Sequence, residues 1–540
     1  MFISFLKLTL RNLLRQKFSS FINIFGLALG FASFIIIGLY VYDEMQYDRF
    51  HEKGDRVYRL YSNTFHVDRT MAHLPARFHV PLSENLPEAE AVVRIFSWTG
   101  TASIEVDNKT YKEPGLYFVD PAFFDVFSYS IKSGSLENFS RKPNSVLISS
   151  DAAHRFFGDE DPVGKLLRLS GQVDLEVAGV LEEYSTRSHF QFSMVANLEH
   201  MKGLNTFMFE DWGNYSSLFY LLLRPDADPP AVGQKIRDLM LTARGMEDKQ
   251  QQMHFGLQPL KEVYLGSAVI ETPFEMAAGS YSSVIIFSAS ALFILLLAGF
   301  NYVNLATAKS TSRAREVGIR KLLGAGRKQL VGYFLVESFL VCLIAMIVAF
   351  GLVEMVSPVF SDIAGKQISY SMIDFRYLIV LMIGLILVVS FCAGIYPAFI
   401  VSRFRPVNVL KGSASLFSGH VKGSLGVNLR LRQLLIILQF AISIGLVTAS
   451  LVLNRQTSHA IANNGFAKDS LLVIRNNTGE RMMSTYQGFK NQMSQYPFVT
   501  HVSAGGHVPT KEPGNQDGLR QPSQGNEERQ LVYLATVDFD

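Results

Sequence analysis

Five long apolar runs divide the chain: Phe21–Tyr42, Ser283–Leu305, Tyr333–Val356, Tyr377–Ile400 and Leu434–Leu453. Each holds about 20 to 25 residues, the length that carries an α-helix across ~30 Å of hydrocarbon. A helix also satisfies its own backbone polar groups in lipid, so these runs predict five membrane spans. Between the first two lie residues 43–282, which have ordinary soluble composition. Apolar and polar positions alternate there over Arg56–Phe65, Val92–Trp98, Ala102–Val106, Val173–Val180 and Ser217–Leu223. Alternation with period two predicts strands, and the stretches Ala152–Phe157 and Ala231–Ala243 read as helices between them. The expected architecture is an α-helical transmembrane bundle plus a mixed α/β extracytoplasmic domain.

Charge orients the bundle. The tail Met1–Ser20 carries Lys7, Arg11, Arg15 and Lys17 with no acid, and residues 401–433 carry six bases and no acid. Residues 309–332 carry seven bases against the single acid Glu316, whereas Ser357–Arg376 has two of each sign. Short loops rich in Lys and Arg stay on the cytoplasmic side, so the amino terminus is expected inside and residues 43–282 outside. The whole chain is only +3, so its remaining segments are net acidic. Membrane topology thus accounts for the basic clusters without nucleic acid. The first run exceeds the apolar core of a secretory signal and leads into Tyr42-Asp43-Glu44 with no small-residue cleavage site, which favours an uncleaved anchor. Ahead of it, Leu6, Leu10, Leu13 and Leu14 share one helical face and Lys7, Arg11 and Arg15 another, a pattern suited to a helix on the inner leaflet.

Repetition adds to the plan. Leu86-Pro87 followed by Ala91-Val92-Val93 has an echo in Tyr496-Pro497 followed by His501-Val502. Tyr117-Phe-Val-Asp120 through Phe124-Asp125 is echoed by Leu534-Ala-Thr-Val-Asp-Phe-Asp540, and the first and fifth spans correspond at a similar offset. A second copy of the unit of span, outer domain and three spans is expected to begin near Arg430, which makes this chain the amino-terminal part of a protein of about eight spans.

Few residues suggest bond-making chemistry. Gly164-Lys165 precedes Leu and Gly365-Lys366 precedes Gln, so no GxxxxGK[ST] phosphate loop exists. His51, His66, His73 and His79 crowd the start of the outer domain without a zinc-ligand spacing and read as packed or solvated side chains. No GxSxG elbow occurs in a suitable context. Cys342 and Cys392 lie inside spans as small hydrophobes rather than a disulfide framework. Acids within spans are functional candidates because charge in hydrocarbon costs about 2.5 kcal/mol or more. Glu337 and Glu354 qualify, but they sit near the inner and outer boundaries, not at mid-depth. A proton-driven transporter is therefore disfavoured, and the chain is expected not to be an enzyme and to carry no cofactor or metal.

The segment after the second span is the most distinctive. From Arg313 to Leu323 only Gly318 interrupts a helix, and Gly324-Ala-Gly326 permits a sharp turn into the third span. A plain positive-inside loop explains the charge but not a helix closed by a small-residue turn. Asn301-Tyr-Val-Asn304-Leu305, then Arg313-x-Arg315-Glu316-x-Gly318-Ile319-Arg320-Lys321-x-Leu-Gly324-Ala325, then Phe334-Leu-x-Glu337-Ser338 resembles the hallmark of MacB/FtsX-type ABC transporter permeases. Tyr396-Pro397-Ala398 and Arg405-Pro406-x-x-x-Leu410-Lys411 resemble the end of the same module. Leu10-Arg11-Asn12 with the first span and the outer domain is similar to the MacB-like periplasmic core.

The resemblance implies a coupling helix from Arg313 to Ala325 that docks into a cytoplasmic ABC ATPase dimer. ATP-driven motion would pass through the spans to the outer domain (mechanotransmission), serving export or extraction of a peptide, lipoprotein, drug or lipid-like substrate. An FtsX-like regulator of an outer periplasmic partner is the alternative. Asn301, Asn304, Glu337, Tyr396 and Pro397 would mark the membrane boundary. The implied domains are a cytoplasmic basic helix (1–20), the first span (21–42), a MacB-like periplasmic core (43–282) and an FtsX-like permease domain (283–404) with its coupling helix at 310–328. A cytoplasmic linker (405–433), the fifth span (434–453) and the start of a second, incomplete outer domain (454–540) follow. The expected location is the bacterial inner membrane, multi-pass, with the amino terminus in the cytoplasm.

Overall fold

The computed structural model describes residues 11, 15, 17–64, 69–98, 101–171, 173–182, 186–204, 206–245, 254–272, 276–308, 319, 321–322, 324–402, 425–463, 471–474, 480–505, 516–519, 530–533 and 538. Two units emerge. One comprises residues 1–45 with 282–463 and the other residues 46–281 with 464–540.

The first unit is helical. Its helices are Lys17–Glu44, Tyr281–Ala308, Arg327–Ala364, Phe375–Ser402 and Leu425–Ala462, and all five are long and apolar enough to cross a membrane. Two of them run for 38 residues, roughly 57 Å at 1.5 Å per residue, so they outreach the hydrocarbon at their ends. The fifth helix begins at Leu425, inside the segment expected to be a linker. Lys17 continues directly into the first span. The leucines and Lys7 of the expected inner-leaflet helix lie outside the described residues, while Arg11 and Arg15 are helical and exposed.

Lipid tails are as apolar as Leu, so close packing rather than hydrophobicity must join such helices. Ala28, Ala32, Ala345 and Ala349 accordingly line the shared core around Phe31, Val341, Met346 and Val353. The first span carries Gly26-Leu-Ala-Leu-Gly30, two small residues four apart. A Cβ at Gly30 would stand 2.4 Å from Ala298 Cβ of the second span, and one at Gly26 3.4 Å from Asn301 Nδ2. These backbones approach so closely only because glycine is there. Cys342 is buried in this core and Cys392 is exposed.

Among the described residues, the 46–281 part of the second unit holds fifteen strands: β1 (Val57–Thr64), β2 (Arg69–Met71), β3 (His73–Pro75), β4 (Ala89–Ser97), β5 (Thr101–Val106), β6 (Lys109–Pro114), β7 (Leu116–Val119), β8 (Ile131–Gly134), β9 (Ser145–Ser149), β10 (Leu166–Leu169), β11 (Val173–Leu181), β12 (Met194–Asn197), β13 (Tyr215–Leu223), β14 (His254–Pro259) and β15 (Ile270–Glu271). They form one mixed sheet in the order β15-β2-β1-β13-β4-β7-β12-β9-β11-β10-β5-β6, with β14 on β1, β3 on β13 and β8 on β11. Pairs β9/β11 and β7/β12 are parallel, while β1/β13 and β4/β13 are antiparallel.

Successive side chains of a strand point to opposite faces, and here both faces are covered. Along β13, Leu218, Tyr220 and Leu222 enter one core with Val93, Tyr117 and Leu147; Phe219, Leu221 and Leu223 enter another with Leu60 and Ile236. Phe118, Ile148 and Met194 build a third cluster. This is why β13 reads as almost unbroken apolar sequence. Helix Pro229–Arg244 starts with Pro at its first turn and ends at Gly245 in the left-handed region, matching the preferences of helix termini. It buries Val232, Ile236 and Met240. In residues 464–540 a helix spans Glu480–Met493, and β16 (Gln516–Leu519) pairs antiparallel with β17 (Gln530–Tyr533).

Candidate functional site

Arg313, Arg315, Glu316, Gly318 and Arg320 lie outside the described residues, as do Arg405 to Lys411. Of the expected coupling segment, Ile319, Lys321 and Leu322 are helical, with Ile319 and Leu322 mostly exposed. Gly324 ends the segment at φ +92°, and its N–H donates to the Lys321 carbonyl at 3.1 Å. Only glycine takes that conformation without strain. The Gln329 side chain accepts from the Gly326 N–H at 3.1 Å, capping the third-span helix. Ala325 packs against Leu330, Tyr333 and Phe334, anchoring the turn.

One helical turn further on, polar side chains gather inside the bundle. Glu337 is buried, and beside it Ser338 Oγ lies 3.0 Å from the Tyr302 hydroxyl of the second span. A Cβ at Gly394 of the fourth span would stand 2.7 Å from Ser338 Oγ, so three spans converge on this serine. Asn304 Nδ2 donates to Gln439 Oε1 of the fifth span at 3.4 Å. Asn301 faces Gly26 of the first span. Tyr396 and Pro397 fall within the fourth-span helix. Asn301 and Asn304 thus meet the first and fifth spans, Glu337 is buried in the third, and Glu354 is exposed.

At the other end of the same unit, sequence reading missed a clasp. The buried carboxylates Asp43 and Glu44 close the first span. Lys366 Nζ, in the connection between the third and fourth spans, bonds Glu44, stands 3.8 Å from Asp43 Oδ2 and lies 5.8 Å from the Tyr40 ring centroid. Gly365 at φ +65° turns the chain so that Lys366 can reach. A lone lysine in a charge-balanced loop carries no signal of this.

Within the α/β unit the histidines are packed. His51 is buried, its Nδ1 accepting from the Ser128 N–H at 3.1 Å, and burial pulls its pKa down to about 4, opposed by Asp48 and assisted by His189. Burial likewise lowers His73 and His79. His66 lies outside the described residues. Asp120 holds Arg94 through 2.7 Å and 3.0 Å bonds to the guanidinium and 2.7 Å to the backbone N–H, both side chains buried. Among the described residues no group of three or more His, Cys, Asp or Glu is placed to hold a metal ion.

Five helices of spanning length, with a large α/β unit inserted after the first, define a multi-span membrane protein. Residues 20–239 match the MacB-like periplasmic core domain and residues 288–406 the FtsX-like permease C-terminal domain. The ABC transporter permease YknZ of Bacillus subtilis (strain 168) is 25% identical over 419 residues, 75% of this chain and 98% of its own length. The macrolide export ATP-binding/permease protein MacB of Neisseria meningitidis serogroup A is 27% identical over 250 residues, 46% of this chain and 36% of that protein. The chain thus matches about a third of the length of its MacB relative. The crystal structure of the periplasmic region of MacB from Actinobacillus actinomycetemcomitans aligns with a TM-score of 0.30 at 17% identity, covering 39% of this chain and 91% of that one. The chain belongs to the MacB/FtsX-type ABC transporter permeases.

Proposed function

We propose that residues 310–328 are the surface through which a separate ATP-hydrolysing dimer drives this permease, and that residues 43–282 receive the motion outside the cytoplasmic membrane. Arg313, Arg315, Glu316, Gly318, Ile319, Arg320, Lys321, Gly324 and Ala325 are the docking residues in this reading. Asn301, Asn304, Glu337, Tyr396 and Pro397 mark the membrane boundary in the same reading. The observation that carries it is the exposed pair Ile319 and Leu322 on a helical segment fixed by the Gly324 turn. Apolar side chains flanked by cations suit a protein cleft lined with acid better than open water. The basic segments Met1–Ser20, 309–332 and 401–433 support a cytoplasmic amino terminus.

Native co-purification tests the reading directly. An ATPase subunit should accompany the chain, and Arg320→Glu or Glu316→Lys should abolish stimulation of its ATPase activity while membrane insertion persists. Unchanged stimulation would remove the docking assignment, and labelling of a cysteine placed at Ser312 from outside the cell would reverse the topology.

The same reading treats residues 480–538 as a second copy of the start of the α/β unit. Its support is a repeated bond: Asp120 N–H donates to the Arg94 carbonyl at 3.2 Å, and Asp538 N–H to the Ala504 carbonyl at 2.8 Å. Arg94 and Ala504 are separated by the same 410 positions as Pro87 and Pro497. A basic side chain from the preceding helix approaches each carboxylate, His79 at 3.7 Å and Lys490 at 2.6 Å. An experimental structure pairing residues 500–505 with strands other than those equivalent to β7 and β13 would end this part of the proposal.

A further inference from the structure

The residues just beyond the first span and just ahead of the second meet at two residues of the α/β unit. Tyr47 and Asp48 follow Glu44, the last residue of the first-span helix, by three and four positions. Ala277 and Gly279 precede Tyr281, the first residue of the second-span helix, by four and two. His189 touches both sides: its Nδ1 lies 2.7 Å from Asp48 Oδ1, and its carbonyl accepts the Ala277 N–H at 3.2 Å. Tyr264 repeats the arrangement. Its ring stacks on Tyr47 with centroids 3.5 Å apart and planes 9° from parallel, and its carbonyl accepts the Gly279 N–H at 2.9 Å.

Asp48 is wholly buried and its backbone is held at φ +57°, a conformation that non-glycine residues seldom take. Its N–H donates to the Arg187 carbonyl at 2.9 Å. Its Oδ1 accepts from the His189 N–H at 3.1 Å and the Ser188 hydroxyl at 3.3 Å. From His189 the network enters the sheet. Nε2 lies 2.8 Å from the Tyr220 hydroxyl at the middle of β13. Burial raises the Tyr220 pKa, so its hydroxyl keeps its proton within this network. Tyr220 stands beside Arg59 of β1, and the buried Arg59 guanidinium donates to Gln258 of β14 at 2.6 Å and to Ser267 at 2.8 Å. Hydrogen bonds of this kind, removed from water, are stiff and mutually dependent.

We propose that Tyr47, Asp48, His189 and Tyr264 form a joint that makes the two chain crossings move together and passes their displacement to the sheet through Tyr220 and Arg59. Solvated connections would allow each crossing to move alone. A buried carboxylate bonded to the residue that also holds the other crossing does not. The source of the motion rests on the coupling reading above; the joint itself does not.

Hydrogen exchange of the full-length chain in detergent tests the joint without any partner. Asp48→Asn is expected to speed exchange of the Ala277 and Gly279 amides at least tenfold, although Asp48 touches neither. Protection of β9 and β11 should stay as in the unmodified chain. Unaltered exchange at Ala277 would overturn the proposal, and so would a uniform rise across β9 and β11, which marks general destabilisation. Tyr47→Leu keeps an apolar side chain and serves if Asp48→Asn does not fold, with the same expected pattern. Arg141→Gln, which removes the exposed pair with Glu137, should change nothing. With the co-purified ATPase, spin labels at the exposed Val80 and Leu166 read ATP-driven change within the α/β unit. Loss of that change in Asp48→Asn at an undiminished ATPase rate supports the joint, and its retention counts against it. No ATP-driven change in the unmodified chain would refute the coupling reading instead, leaving the exchange pattern to decide the joint.

Discussion

Replacing His51 by Asn should flatten the pH dependence of the stability of the α/β unit. In the native chain His51 Nδ1 accepts the Ser128 N–H, a bond the Asn amide oxygen can take over without offering a site for a proton. Burial holds the folded imidazole at about 4, against an ordinary value of 6.5 in the unfolded chain. Below 6.5 the unfolded state therefore binds a proton that the folded state refuses. Stability is complete above pH 6.5, falls as the pH drops and levels off below about 4. A tenfold change in proton affinity is worth about 1.4 kcal/mol, so this window carries roughly 3 kcal/mol. His73 and His79 are lowered in the same direction and remain in the variant, so the slope should shrink rather than vanish. The assay is unfolding in urea followed by tryptophan fluorescence. The chain has two Trp, Trp98 and Trp212, both in the α/β unit, so the signal reports that unit alone. Stabilities compared between about pH 7 and about pH 4.5 should fall by ~2 to 3 kcal/mol less in the variant. Parallel pH profiles for the two proteins would refute the reasoning, because they would mean that His51 titrates alike folded and unfolded.

Two further perturbations probe the helical unit. Gly30→Leu forces a side chain into the 2.4 Å gap before Ala298 and should destabilise the packing of the first span on the second by about 1 to 3 kcal/mol, read as a lower thermal midpoint in detergent; an unchanged midpoint would show that these helices do not depend on close approach. Lys366→Met strips the cation from the buried carboxylates Glu44 and Asp43. Breaking a fully buried pair costs about 3 to 5 kcal/mol, and with Lys366 partly exposed about 2 is expected, so a loss below ~0.5 kcal/mol in the same assay would mean that the clasp contributes nothing.

The architecture was legible because its two solvents impose different periods on the sequence. Hydrocarbon demands about 20 apolar residues per helix, and the five runs from Phe21 to Leu453 declare themselves on that ground. The five strand segments read between Arg56 and Leu223 coincide with β1, β4, β5, β11 and β13, although β13 is buried on both faces and carries no alternation in burial. The family motif from Asn301 to Ser338 was readable as well, since glycine, charge and span position occur together there.

What the sequence could not decide is which distant residues meet. Arg59 sits in a strand whose two faces are both buried, so no period separates it from Leu60. Asp48 and His189 are 141 positions apart, and nothing local marks the positive φ that turns the Asp48 carboxylate toward the imidazole. Lys366 finds Glu44 across 322 positions. Local patterns record the solvent each segment will face, whereas the pairing of buried charges depends on how the segments are brought together. That is why the spans and the sheet were visible in the chain itself, while the joint and the clasp became visible only in three dimensions.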